Sequence, residues 1–205
     1  MIGAFPCMNP VVVRRSGSLS RCLLQILLLG LSALLLNAVL VKTCLGQSEA
    51  EALEYRIKAA FLCKFANYVE WPGGAFARAV SPVEIGVAGD ERLRQELARL
   101  VQGKTVNGRP IAVRAVRPGR PFSVHILYVG ELAPGEATQL QAQVRGRPVL
   151  LVSDVGRSVA LDSMVRFVLV DQRLRFDVTL APVAAGGLKV SALMLSAARR
   201  VERQP

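Results

Sequence analysis

Between Tyr55 and Pro72 apolar residues recur in steps of three and four, at Ile57, Ala60, Phe61, Phe65 and Tyr68, which is the period of one helix face. The spacing predicts a helix from Tyr55 that ends at Trp71-Pro72. Ala59, Leu62, Cys63, Ala66 and Val69 fill much of the remaining circumference, so this helix is expected to be covered on more than one side, by its own sheet and by a second surface. Arg56, Lys58, Lys64, Asn67 and Glu70 are expected to face water. Further on, 83–88 alternates as a strand. Asp90 is placed to cap a helix whose stripe is Leu93, Leu97, Leu100 and Val101 and which Gly103 ends. After a turn at 107–110, strands follow at 111–116 and 124–129, then a helix at 134–144 and a strand at 148–152. The runs at 124–129 and 148–152 are continuously apolar, as in strands buried on both faces of a parallel sheet. The period then changes. Residues 164–170 and 173–178 alternate around the two-residue turn Asp171-Gln172, an antiparallel hairpin, and 182–201 closes the chain as a helix with Gly186-Gly187 weakening its first turns. Strands separated by helices early and a hairpin late predict an α/β fold: a single-domain sandwich with a mixed, mostly parallel sheet of about six strands flanked by helices.

One stretch does not belong to this pattern. Residues 22–41 are an uncharged run of 20, preceded by Arg14, Arg15 and Arg21. It reads as a signal peptide, with Cys44 and Gly46 as the small residues of a cleavage site before Gln47, or as an N-terminal membrane anchor. In both cases the basic side stays inside and the remainder is exported. The expected organisation is therefore a leader over 1–46 and one α/β domain over 47–205. Of the four cysteines only Cys63 belongs to that domain, so no disulfide can form within it.

Charge narrows the function classes. The chain carries +11, and without the leader's Arg14, Arg15, Arg21 and Lys42 the domain keeps 22 basic and 15 acidic residues. The arginines are scattered and aromatics make up only 5%, so the basic patch with interleaved aromatics that a nucleic-acid binder needs is missing. Catalysis is poorly supplied too. His125 is the single histidine, which leaves a zinc site to carboxylates and a nucleophilic triad to one ring inside a buried strand, where a hydrogen-bonded core histidine is expected. Gln102-Gly103-Lys104-Thr105 resembles the end of a phosphate-binding loop but ends a helix, presenting the wrong end of the dipole to an anion. No enzyme activity, cofactor or metal is expected.

Tyr55–Pro72 (YRIKAAFLCKFANYVEWP), Ile85–Asp90 (IGVAGD), Gly103–Pro110 (GKTVNGRP), His125–Val129 (HILYV), Pro148–Asp154 (PVLLVSD), Arg175–Val178 (RFDV) and Gly187–Leu195 (GLKVSALML) follow in the order seen in the YfiR family, which the chain resembles along essentially all of its exported part. The resemblance implies a small periplasmic protein that represses an inner-membrane diguanylate cyclase through that enzyme's periplasmic part, and so regulates cyclic-di-GMP signalling by binding alone. Two departures stand out: Val124 occupies a position where many relatives have cysteine, and Asp162-Ser163 and Thr179 replace residues usual around the hairpin.

The contact surface for such a partner is expected at the Trp71 end of the first helix, with Asn67, Glu70 and Arg56; alternatively Trp71 closes the core. The surplus apolar surface of that helix also suits a homodimer. The rival function is a periplasmic small-molecule binding protein with its site at the carboxyl ends of the strands, near Gly89, Asp90, Asp154 and Arg157, where open α/β sheets bind ligands.

Overall fold

The computed structural model describes residues 49–155 and 161–203. The chain divides into a unit Met1–Ala50, which with the expected leader lies almost wholly outside the described residues, and a compact unit Glu51–Pro205. Helix α1 covers 49–68 and passes directly into strand β1, Val69–Glu70. There follow β2 (Val83–Ala88), α2 (Glu91–Val101), β3 (Thr105–Val106), β4 (Arg109–Ala115), β5 (Ile126–Val129), α3 (Pro134–Val144), β6 (Leu150–Asp154), β7 (Val165–Val170), β8 (Arg173–Thr179), α4 (Leu180–Ala185), β9 (Lys189–Val190), α5 (Ala192–Ala197) and β10 (Arg200–Glu202).

The main sheet has eight strands in the order β10-β8-β7-β6-β5-β2-β4-β3. Pairings β2–β4, β2–β5, β5–β6, β6–β7 and β8–β10 are parallel, and β7–β8 and β3–β4 antiparallel. This is the mixed, mostly parallel sheet with a late hairpin that the pattern predicts. The six predicted strands are β2, β4, β5, β6, β7 and β8. The additional ones are the edge strands β3 and β10 and the separate pair β1–β9, in which Val69 faces Val190 and Glu70 faces Lys189.

Strand order reverses at β2, since β4 lies on one side of it and β5 on the other. Right-handed crossovers then require α2 and α3 to lie on opposite faces of the sheet, and the core divides accordingly. Tyr55, Ala59, Leu62 and Phe65 of α1 and Leu93 and Leu97 of α2 pack with Ile85, Ile126, Tyr128, Leu150, Phe167 and Phe176. On the other face Ala137, Leu140 and Val144 of α3 pack with Leu127, Val129, Val149 and Leu151. β5 and β6 are buried throughout, as their unbroken hydrophobicity predicts.

The hairpin turn is Asp171-Gln172 with φ of 47° and 58°, the left-handed pair that matches the twist of two antiparallel strands. The predicted closing helix over 182–201 is a correction. It breaks into α4, β9, α5 and β10, because Gly187 has φ +67° and a Cβ on Gly186 would lie 3.1 Å from the Arg147 carbonyl oxygen. Ser191 then caps a new helix by accepting from Met194 N–H at 3.3 Å.

Candidate functional site

The carboxyl edge of the sheet brings Gly89 and Asp90, beyond β2, to the same side as Asp154, at the end of β6; Arg157 lies outside the described residues. The crevice expected where strand order reverses is filled by the chain itself. Gly89 has φ +70°, and a Cβ there would lie 2.4 Å from the Glu131 carbonyl oxygen, so the loops after β2 and β5 pack backbone against backbone. Asp90 is the α2 cap, its carboxylate accepting from Leu93 N–H at 2.9 Å. Asp154 is buried, accepting from Tyr128 Oη at 3.4 Å and pairing with Lys58 Nζ.

Lys58 overturns the expectation that it faces water: it is 0% exposed. Its ammonium also bonds Glu54, one turn earlier on α1. Glu54, Lys58 and Asp154 thus join the first half of α1 to the end of β6. Two further contacts join it to α2, since Arg92 pairs with Glu51 at 2.8 Å and lies 5.2 Å from the Tyr55 ring centroid. Sequence spacing carried a signal for Lys58, which stands three residues after Tyr55 and four before Leu62, within the buried stripe.

Arg56, in the first half of α1, and Asn67 and Glu70, at or just beyond its other end, are exposed, and Trp71 is half-buried. Arg56 and Asn67 stand three turns apart on one helix face, whereas Glu70 has left the helix for β1. Trp71 packs edge-on against Phe76, at 6.1 Å and 75°, and His125, at 5.8 Å and 87°, and its Nε1–H donates to the His125 carbonyl at 3.3 Å. The indole therefore ties the end of α1 to the start of β5. Trp71→Ala is expected to cost roughly 2 kcal/mol, below the range for a fully enclosed aromatic, as a lower urea midpoint with an unchanged slope.

His125 is the hydrogen-bonded core histidine expected. Nδ1 accepts from Glu84 N–H at 3.0 Å, and Nε2 lies 3.2 Å from the Ala75 carbonyl, which can only accept. The ring is therefore the neutral Nε2–H tautomer. Burial pushes its pKa below the ordinary value, against the opposing pull of the Ala75 bond and the Glu84 carboxylate. Cys63 is a free thiol whose pKa burial raises, with Lys104 pulling weakly the other way, so little of it is the reactive thiolate. No group of three or more metal-ligating side chains occurs among the described residues, and no described helix is long and apolar enough to cross a membrane.

Two cavities flank these elements. A cleft of about 690 Å³ borders His125, Phe76, Glu84, Arg114 and Phe122. Another, of about 550 Å³, lies between α3, the start of β7 and α4, walled by Val144, Leu151, Leu161, Met164 and Pro182 with Arg145 and Arg166; sequence reasoning missed it because its walls come from segments far apart in the chain. The polar groups named above thus cap, pair or tether structural elements, and the side chains of α1 that stay in water lie on its outward face. Residues 55–199, from the first buried turns of α1 to the arginine before β10, match the YfiR/HmsC-like family model, and the chain belongs to that family.

Proposed function

We propose that this protein, exported by a leader over 1–46, uses its domain over 47–205 to bind the periplasmic part of an inner-membrane diguanylate cyclase and to restrain cyclic-di-GMP synthesis. The observation that carries the reading is the family match over 55–199, whose family is one of periplasmic regulators of cyclic-di-GMP signalling. The use of Asp90 and Asp154 as cap and ion-pair partner supports binding rather than turnover as the activity. Restraint requires tighter binding to the inactive cyclase than to the active one, and a hundredfold preference corresponds to about 2.8 kcal/mol.

The contact surface in this reading is the outward face of α1 with Arg56 and Asn67, continued by Glu70 and Trp71; a second copy of the chain is the other candidate for that face. Arg56→Glu with Asn67→Arg should leave stability within about 0.5 kcal/mol, as for exposed positions generally, while abolishing capture of the cyclase's periplasmic part. The deciding experiment is co-purification with the cyclase and turnover with and without this protein. Unchanged turnover, with expression and export verified, overturns the proposal.

A second reading, periplasmic small-molecule sensing, is favoured by one observation, the 550 Å³ cavity beside α3, whose size and mostly apolar walls suit a small ligand. It shifts the site away from Gly89, Asp90 and Asp154. A solute that raises Tm in wild type but not in Met164→Trp, which fills the cavity, would support it.

A further inference from the structure

The segment 73–82, GGAFARAVSP, joins β1 to β2 and lies against the Trp71 end of α1. Two side chains from the sheet hold it. His125 donates from Nε2 to the Ala75 carbonyl at 3.2 Å and stacks on Phe76 at 4.2 Å and 16°. Arg109 lies 3.9 Å from the Phe76 ring centroid and donates to the carbonyls of Arg78 and Ser81 at 2.9 and 3.0 Å. Two groups so close to one ring centre must take its opposite faces, so Phe76 is held between an imidazole and a guanidinium.

That arrangement depends on a neutral imidazole. Glu84 N–H donates to Nδ1 at 3.0 Å, and a proton on Nδ1 would set donor against donor and remove that amide's acceptor. It would also place a second cation across Phe76 from Arg109. The nearby carboxylate that favours the proton is Glu84, and Arg114 already engages it with two hydrogen bonds.

We propose that segment 73–82 is an acid-released flap over the Trp71 end of α1, closed while His125 is neutral and loosened when the opened ring takes up a proton. Resting on the cyclase-binding reading, it supplies that reading with a signal: acidification of the periplasm alters access to the partner surface. The sign follows from linkage. The ring's pKa is depressed from 6.5 in the closed form and returns to its ordinary value when the flap opens, so closure is complete above that value and weakens as pH falls below it. The open population then rises as pH falls from about 7.5 to 5.5, by at most about tenfold for one proton.

The sequence supplies its own probes, having one histidine and one tryptophan. With the purified protein, the His125 imidazole should titrate by NMR below 6.5. Exchange of the segment's backbone amides, corrected for intrinsic pH dependence, should quicken from about pH 7.5 to pH 5.5 by up to about tenfold, with Trp71 emission shifting to the red. His125→Gln, which keeps a donor and an acceptor but gains no proton, should show none of this pH dependence. A midpoint at or above the ordinary value, or equal exchange profiles in wild type and His125→Gln, overturns the flap; should the variant not fold, the wild-type midpoint and exchange decide. Binding of the cyclase's periplasmic part is then followed over the same pH range. A flap that opens while binding stays constant overturns its role as a gate. A flap that opens in a protein that binds no cyclase at any pH overturns the partner reading and leaves the flap standing.

Discussion

Lys58→Met is expected to destabilise the domain by about 3–5 kcal/mol, the usual cost of removing one member of a buried ion pair, and to lower Tm by roughly 10–15 °C. Methionine keeps most of the side chain's volume, so the loss reports the ammonium rather than a cavity. Lys58 is 0% exposed and Asp154 only 7% by side chain. Without the cation, the Asp154 carboxylate stays desolvated, with Tyr128 Oη still donating to it at 3.4 Å. Adding Asp154→Asn removes the stranded charge while keeping an acceptor for Tyr128, and the pair of substitutions should recover more than half of the loss. Thermal or urea unfolding of the three variants makes the comparison. A cost of Lys58→Met below about 1 kcal/mol, the scale of an exposed pair, would mean that the interaction does not hold α1 to β6.

Phe65→Ala should cost about 3–5 kcal/mol, as for other enclosed aromatics cut to alanine. Phe65 is 1% exposed and its ring centroid lies 5.1 Å from Phe176, 6.0 Å from Phe167 and 6.0 Å from Phe61. Four rings from one helix and one hairpin thus form a single contact. Alanine empties its centre, and neither the helix nor the paired strands can move in to fill the space. Phe65→Leu should cost much less, about 1–2 kcal/mol, and urea melts of both, with equal slopes, test the ranking. Similar costs for the two would mean that the space collapses, and that α1 is less firmly seated than its burial implies.

The elements legible in the sequence were those whose period outlasts noise. β8 alternates polar and apolar residues over all seven of its positions and β7 over its first three, and the apolar stripe of α2 runs its full length. Strands of two or three residues carry no period, so β1, β3, β9 and β10 could not be read; their pairing comes from the tertiary fold. The closing segment misled because Leu188, Ala192, Leu195 and Ala198 keep a helical spacing although the extended strand β9, Lys189–Val190, runs between the first two of them. The candidate site was legible as residue types and not as roles. Asp90 and Asp154 reached the carboxyl edge as expected, but whether they await a ligand depends on neighbours the sequence does not order, chiefly Lys58. Its charge assigns that lysine to water, although its spacing sets it in the buried stripe. The sequence leaves Trp71 open between interface and core, and its indole hydrogen bond to the His125 carbonyl gives it a packing role whatever else it contacts.

The seating of α1 also sets an order of folding. Lys58 meets Asp154 across 96 positions of chain, and the Phe61 and Phe65 rings pack against Phe167 and Phe176, at the far end of the domain. Of the main-sheet strands that α1 packs against, those of the hairpin are made last, so the helix is fully seated only when the chain has grown past them. Closing so long a loop is slow compared with local helix formation, so the contacts of α1 with the hairpin form late. A domain whose opening helix is held by its late hairpin is fully packed only when it is nearly complete, so a chain cut short before residue 173 should leave one side of α1 uncovered.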